Sequence, residues 1–195
     1  MRSILCLTLL LAGGLAHGEA VEVFAKGSLS KNYISKDSWT ISASATMGLG
    51  MALFRGVKLE GRYSNISSLQ NTLQVPVDTS SVTLTDFKTQ TVIYSVGLDL
   101  DFLGETSPFQ PFLFVGIGYL ETERSYYLTS PSISAAIFTK EPKQLGFTGN
   151  LGLGFRVRLA KALAFEIEAF AYGMNIHKPN PLIDLYGTVG IRLFL

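Results

Sequence analysis

The side chains with the best means to do chemistry are ionic and set close together along the chain: Glu22 and Lys26, Lys58, Glu60 and Arg62, Asp99 and Asp101, Arg156 and Arg158, Glu166 and Glu168, and Arg192. A carboxylate pair such as Asp99/Asp101 or Glu166/Glu168 suits general acid–base work when its two environments drive the protonation states apart. On an extended strand, however, an i,i+2 spacing puts both groups on one face. There they meet the opposite sign, because basic Arg156 and Arg158 lie across a three-residue turn from acidic Glu166 and Glu168. The set holds six bases and six acids, and an isolated buried ion would cost several kcal/mol. It therefore reads as a salt-bridge network filling an interior, with a proton or ion path along the same residues as the functional alternative.

Other reactive chemistry is scarce. The single cysteine, Cys6, lies in the apolar part of an export signal, so the mature chain has no thiolate metal ligand, disulfide or cysteine nucleophile. Of the two histidines, His17 leaves with the signal and His177 reads as a solvated residue in a polar, Pro-rich loop. Gly116-Ile117-Gly118 and Gly152-Leu153-Gly154 sit in strands rather than strand-to-helix turns, so they read as close packing and not as phosphate loops. No catalytic residue, metal site or cofactor is expected. The 16 basic and 15 acidic residues become 15 and 15 once Arg2 is removed, which gives no electrostatic reason for a nucleic-acid partner.

The elements that must position the ionic face alternate apolar with small or polar residues. Trp39 to Phe54 is the clearest: Trp39, Ile41, Ala43, Ala45, Met47, Leu49, Met51 and Leu53 fall on one face, with Thr40, Ser42, Ser44, Thr46, Gly48 and Gly50 on the other. A period of two marks a strand, and at roughly 3.3 Å per residue this one is long enough to cross a bilayer at a tilt. Eight such strands are predicted, over 21–30, 39–54, 57–66, 90–102, 110–122, 146–159, 163–173 and 185–195. Their joins alternate: Arg55-Gly56, 103–109 and 160–162 are tight, while 31–38, 67–89, 123–145 and 174–184 are long and polar. All short turns then lie at one end, periplasmic in an outer-membrane barrel, with the long loops extracellular. The sheet must close, since an open edge in hydrocarbon would leave backbone groups unpaired.

The fold class predicted is all-β: an eight-stranded antiparallel up-and-down transmembrane β-barrel over residues 19–195, behind a cleaved signal peptide at 1–18. Arg2, the apolar run Ile4–Leu11 and Ala16-His17-Gly18 supply the three parts of that signal. Only 16% of residues are charged, against about a quarter in soluble domains, while the mean hydropathy is +0.30. Outward aromatics form two expected girdles, Trp39, Tyr63, Tyr94, Tyr119 and Phe147 towards the outside and Phe102, Phe155 and Phe165 towards the periplasm. An eight-stranded barrel is only just wide enough for side chains. Inward Gly48, Gly50, Gly97, Gly116, Gly118, Gly152, Gly154 and Gly190 leave room for Phe114, Phe170 and Tyr172. The segment Glu123–Leu145 is long enough to continue its flanking strands beyond the membrane. Tyr126, Tyr127, Ile133, Ile137 and Phe138 in it read as packing over the mouth, with a binding surface as the alternative.

Three segments carry a family resemblance: Pro111-Phe112-Leu113-Phe114-Val115-Gly116-Ile117-Gly118-Tyr119, Leu59-Glu60-Gly61-Arg62-Tyr63 and the final Val189-Gly190-Ile191-Arg192-Leu193-Phe194-Leu195. Through them the whole mature chain resembles the small outer-membrane β-barrels of Gram-negative bacteria, the OmpA/OmpX type. The last segment looks like that family's signal for the barrel-assembly machinery, although it ends on Leu195 where the family usually has Phe. The resemblance implies outer-membrane lipid and lipopolysaccharide as surroundings and a structural or surface-interaction role through extracellular loops, with the surface partner unspecified. Its alternative is a porin-like narrow uptake barrel for small or apolar molecules, lined by Phe114, Leu120, Phe170 and Tyr172. Asn175 to Asp184 also resembles the stretch that follows the H-x-S-N motif of lipid A deacylases. In that alignment Tyr172 replaces the histidine base and Met174 the serine nucleophile, and only Asn175 is kept, so the resemblance implies an inactive relative.

Overall fold

The computed structural model describes residues 21–33, 38–77, 80–103, 107–129, 135–174 and 182–195. The predicted signal peptide, His177 and Asn175 lie outside the described residues.

Nine strands run in chain order: β1 (Val21–Tyr33), β2 (Trp39–Phe54), β3 (Val57–Val77), β4 (Ser80–Asp101), β5 (Phe109–Thr129), β6 (Ile137–Lys140), β7 (Gln144–Ala160), β8 (Leu163–Met174) and β9 (Leu182–Phe194). Each is antiparallel to its neighbours, and β9 pairs back onto β1, so β1–β5 and β7–β9 close into the eight-stranded barrel. The period of two does what the sequence requires. Along β2, Ala43, Ala45, Met47 and Leu49 are exposed on the outer wall while Thr46 and Gly50 are buried inside.

The tight end of the barrel is built from short chemistry. Arg55-Gly56 joins β2 to β3 with Gly56 at φ 77°, a left-handed geometry that glycine takes without steric cost, and the Gly56 carbonyl accepts a 2.8 Å hydrogen bond from Asp101 N–H. On the outer wall, Tyr63, Tyr94, Tyr119 and Phe147 are direct cross-strand partners on β3, β4, β5 and β7, and so form one continuous aromatic row. Tyr63 and Tyr94 have centroids 5.4 Å apart. Nearer the tight end Phe109 lies 5.2 Å from Phe155, and Phe102 is exposed.

At the other end the sequence reading needs correction. The stretch 67–89, expected to be a loop, is almost entirely strand, because β3 and β4 stay in one register from Val57↔Leu100 to Val77↔Ser80. Its Ser, Thr and Asn content resembles loop composition, yet Thr and Val favour extended backbone, and the outer face need not be apolar above the bilayer. β5 likewise runs to Thr129, as the length of 123–145 implied, and β6 is an additional short strand. β6 and β7 are successive partners of the same side of β5 and shift register by one across Glu141-Pro142-Lys143. They amount to one strand interrupted at a proline, which has no N–H to give the ladder. A second irregularity lies opposite Tyr126, where β4 bulges at Asp86, φ 51°, a conformation that aspartate tolerates. The result is a four-stranded flap of β3, β4, β5 and β6 standing above the barrel rim.

Candidate functional site

The lower lumen is built from inward positions of six strands. β1 contributes Glu22 and Lys26, β3 Lys58, Glu60 and Arg62, β4 Asp99 and Asp101, β7 Arg156, β8 Glu166 and Glu168, and β9 Arg192; all eleven side chains are buried. Arg192 is the hub, with Nη1 at 2.6 Å from both Glu22 Oε2 and Glu60 Oε1 and Nε donating to Glu166 Oε2 at 2.8 Å. Arg156 donates from Nε to the same Glu166 oxygen at 3.1 Å, from Nη1 to Asp101 at 2.5 Å and from Nη2 to Asp99. Lys26 bridges Glu166 and Glu168 at 2.5 and 2.6 Å, and Lys58 bridges Glu22 and Asp101 at 2.6 and 2.9 Å. Arg62 completes the chain of contacts, donating to Glu60 at 2.9 Å and to Glu168 at 2.7 Å.

Every member is therefore connected to every other through shared partners, which is the condition under which buried ions persist. Arg158, also in the predicted set, is half-buried at the tight end with its guanidinium 4.4 Å from the Phe194 ring centroid. The guanidinium of Arg62 lies 3.4 Å from the Phe114 centroid, that of Arg156 4.0 Å from Phe112, and that of Arg192 4.4 Å from Phe24. Stacking of this kind suits the planar, weakly hydrated guanidinium. Phe24, Phe112 and Phe194 were not singled out from sequence, although their inward parity was the available signal. The inward glycines make room for these groups: a Cβ on Gly48 would meet Phe24 Cζ at 2.4 Å, and one on Gly152 would meet Glu168 Oε1 at 1.8 Å.

Above the ionic layer, Thr46 and Ser64 share a 2.9 Å hydrogen bond, and Ile66, Ile93, Leu120, Phe170 and Tyr172 pack into a buried apolar cluster. Of the four residues expected to line a ligand path, Leu120 and Phe170 are inside this cluster and Phe114 lies below it against Arg62. Only Tyr172 reaches the open space above. That space is a cavity of about 320 Å³ in the mouth of the barrel. Its wall carries the hydroxyls of Thr40, Ser42, Ser68, Thr89, Thr91 and Thr122, together with Ile66, Phe87, Arg124, Tyr172, Asp184 and Tyr186. Tyr172 stacks on Tyr186 with ring centroids 6.0 Å apart and planes at 5°.

Outside the lumen, the flap carries Tyr127 against Phe138 at 5.4 Å and exposed ion pairs, Lys140 with Glu123 at 2.6 Å and Lys143 with Glu121 at 3.6 Å. Glu123 stands four residues beyond the aromatic row, and the hydrogen bond from Lys140 holds its carboxyl below the usual carboxylate range. No group of acidic, histidine or cysteine side chains suited to a metal ion occurs among the described residues.

A family model described as "Outer membrane protein beta-barrel domain" matches residues 3–180 of the chain. Among solved structures, Neisserial surface protein A superposes with a TM-score of 0.53 at 13% identity, over 90% of this chain and 97% of that one. The N-terminal β-barrel domain of Pseudomonas aeruginosa OprF gives 0.42 at 16% identity, over 91% and 98%. Ail of Yersinia pestis gives 0.41 at 10% identity, over 90% and 96%. No curated protein sequence matches.

Proposed function

The chain belongs to the outer membrane protein beta-barrel family, and from that premise we propose that it is a non-enzymatic barrel with a closed lumen, acting as a structural or surface-interaction element through its extracellular flap and loops. The observation that carries this reading is the continuous ionic network. Eleven buried charged groups, braced by aromatic rings, occupy the lower lumen, and an apolar cluster lies across the lumen above them. Solute passage would require breaking several short ion pairs at once, each break leaving an uncompensated buried charge. The protruding β3–β6 flap, by contrast, presents exposed Tyr127, Ile137 and Phe138 and alternating charges to whatever lies outside the cell. Lipopolysaccharide, a host surface or another envelope protein are the partners suited to that position. Residues 1–18 act in this reading as the cleaved export leader, and the terminal Val189–Leu195 segment engages the assembly machinery during insertion.

Planar-bilayer recording of the refolded full-length mature protein tests the closed lumen. Baseline current with no stable open level is expected, and a large, long-lived conductance would overturn the proposal. Replacing residues 72–85 by Asn-Gly, which shortens the β3–β4 hairpin while keeping its register, should leave heat-modifiable folding intact. The same change should abolish adhesion or lipopolysaccharide retention by whole cells.

A further inference from the structure

The mouth cavity is lined by inward side chains from six strands, β2, β3, β4, β5, β8 and β9, so it is held by the barrel and not by one loop. A volume of about 320 Å³ is at the small end of ligand sites, which run roughly from 300 to 1,000 Å³. Three features define what fits. The wall is dense in hydroxyls: Thr91 and Thr122 bond each other at 3.1 Å, while Thr40, Ser42, Ser68 and Thr89 form no side-chain hydrogen bond among the described residues. The floor is apolar at Ile66, and half-buried Tyr186 and Phe87 put aromatic surface on opposing strands. The lining carries one carboxylate, Asp184, which already has a hydrogen bond with Tyr172, and one guanidinium, Arg124, which lies 3.8 Å from Glu141, so neither leaves the site an unpartnered charge with which to select a phosphate or an amine.

A ligand that is ring-shaped, uncharged, rich in hydroxyls around its edge and apolar on one face answers all three. We propose that the mouth of this barrel is a binding site for a neutral pyranose sugar, with Asp184 accepting from two adjacent ring hydroxyls, the Ser/Thr hydroxyls completing the edge contacts and the aromatic side chains taking the ring's C–H face. The proposal rests on the reading that the long-loop end faces outward, and it names the ligand class that this end would recognise.

The test uses the mature chain refolded in a zwitterionic, sugar-free detergent, since glycoside detergents would compete. Saturation-transfer NMR with methyl glycosides of glucose, galactose and N-acetylglucosamine should show transfer to the ring protons of at least one. Asp184→Ala should weaken that binding about tenfold or more. Ser68→Phe, which fills the cavity from a half-buried position, should abolish it, while both variants keep the heat-dependent gel shift of the folded barrel. Absence of transfer from all three sugars, or transfer unchanged by Ser68→Phe in folded protein, would overturn the site. Preference for a sulfated or phosphorylated sugar, lost in Arg124→Gln, would overturn the neutral class. These outcomes are independent of the bilayer recordings, so a failed sugar site and a conducting lumen are distinguishable.

Discussion

The lower and upper halves of the lumen are closed by opposite means. Below, Arg192 and Arg156 hold carboxylates from four other strands at 2.5–3.1 Å, so each side chain is fixed by several partners. Above, Ile66, Ile93, Leu120 and Phe170 exclude water without directional bonds, and beyond them the wall holds open space. The difference teaches where the molecule tolerates change. A network of buried ions punishes loss of any member, because the remaining charges cannot be rehydrated, whereas an apolar layer gives up only the area and packing of the atoms removed.

Single substitutions break or sharpen this contrast. Arg192→Met should be the most costly, leaving Glu22, Glu60 and Glu166 without their shared partner and lowering stability by about 3–5 kcal/mol in urea titrations of the refolded barrel. A loss below about 1 kcal/mol would mean that water already penetrates the layer. Ile93→Val, in the fully buried centre of the apolar cluster, should cost roughly 0.5–1.5 kcal/mol in the same assay. Smallest is the exposed flap, where Lys140→Ala should lower the melting temperature only marginally. Because Lys140 lowers the Glu123 carboxyl in the folded state, that contact stabilises above the ordinary carboxylate value and is lost as pH falls through the folded one. Carboxyl ¹³C titration should show the Glu123 midpoint rising in Lys140→Ala.

Much of this architecture is legible in the residues, because β-strand parity is a strict rule. Once Trp39–Phe54 shows its greasy face, the inward position of Glu60, Arg62, Glu166 and Arg192 follows, and so does the need for opposite signs. The β3–β4 part of the flap was not legible for the same reason in reverse. Above the membrane neither face of β3 is forced to be apolar, so the alternation through Leu69, Leu73, Val75 and Val77 is diluted by polar neighbours and reads as loop. Nor could spacing reveal the mouth cavity, whose lining comes from pairs such as Ile66/Ser68, Thr89/Thr91 and Asp184/Tyr186 that are distant in the chain. Phe114 illustrates the limit: parity placed it inside, but only the register that puts it against Gly97 and Arg62 shows that it belongs to the ionic layer.

Arg192 sits three residues from the end of the chain, yet its bond to Glu22 spans 170 residues. The first and last strands thus contribute opposite charges to one cluster, and neither charge gains its full set of partners until the seam between β1 and β9 forms. A nascent barrel that slipped into lipid with its seam open would carry stranded ions as well as bare strand edges. Closing the seam therefore completes the hydrogen-bond ladder and the ionic cluster in one step, so the two sources of stability reinforce each other.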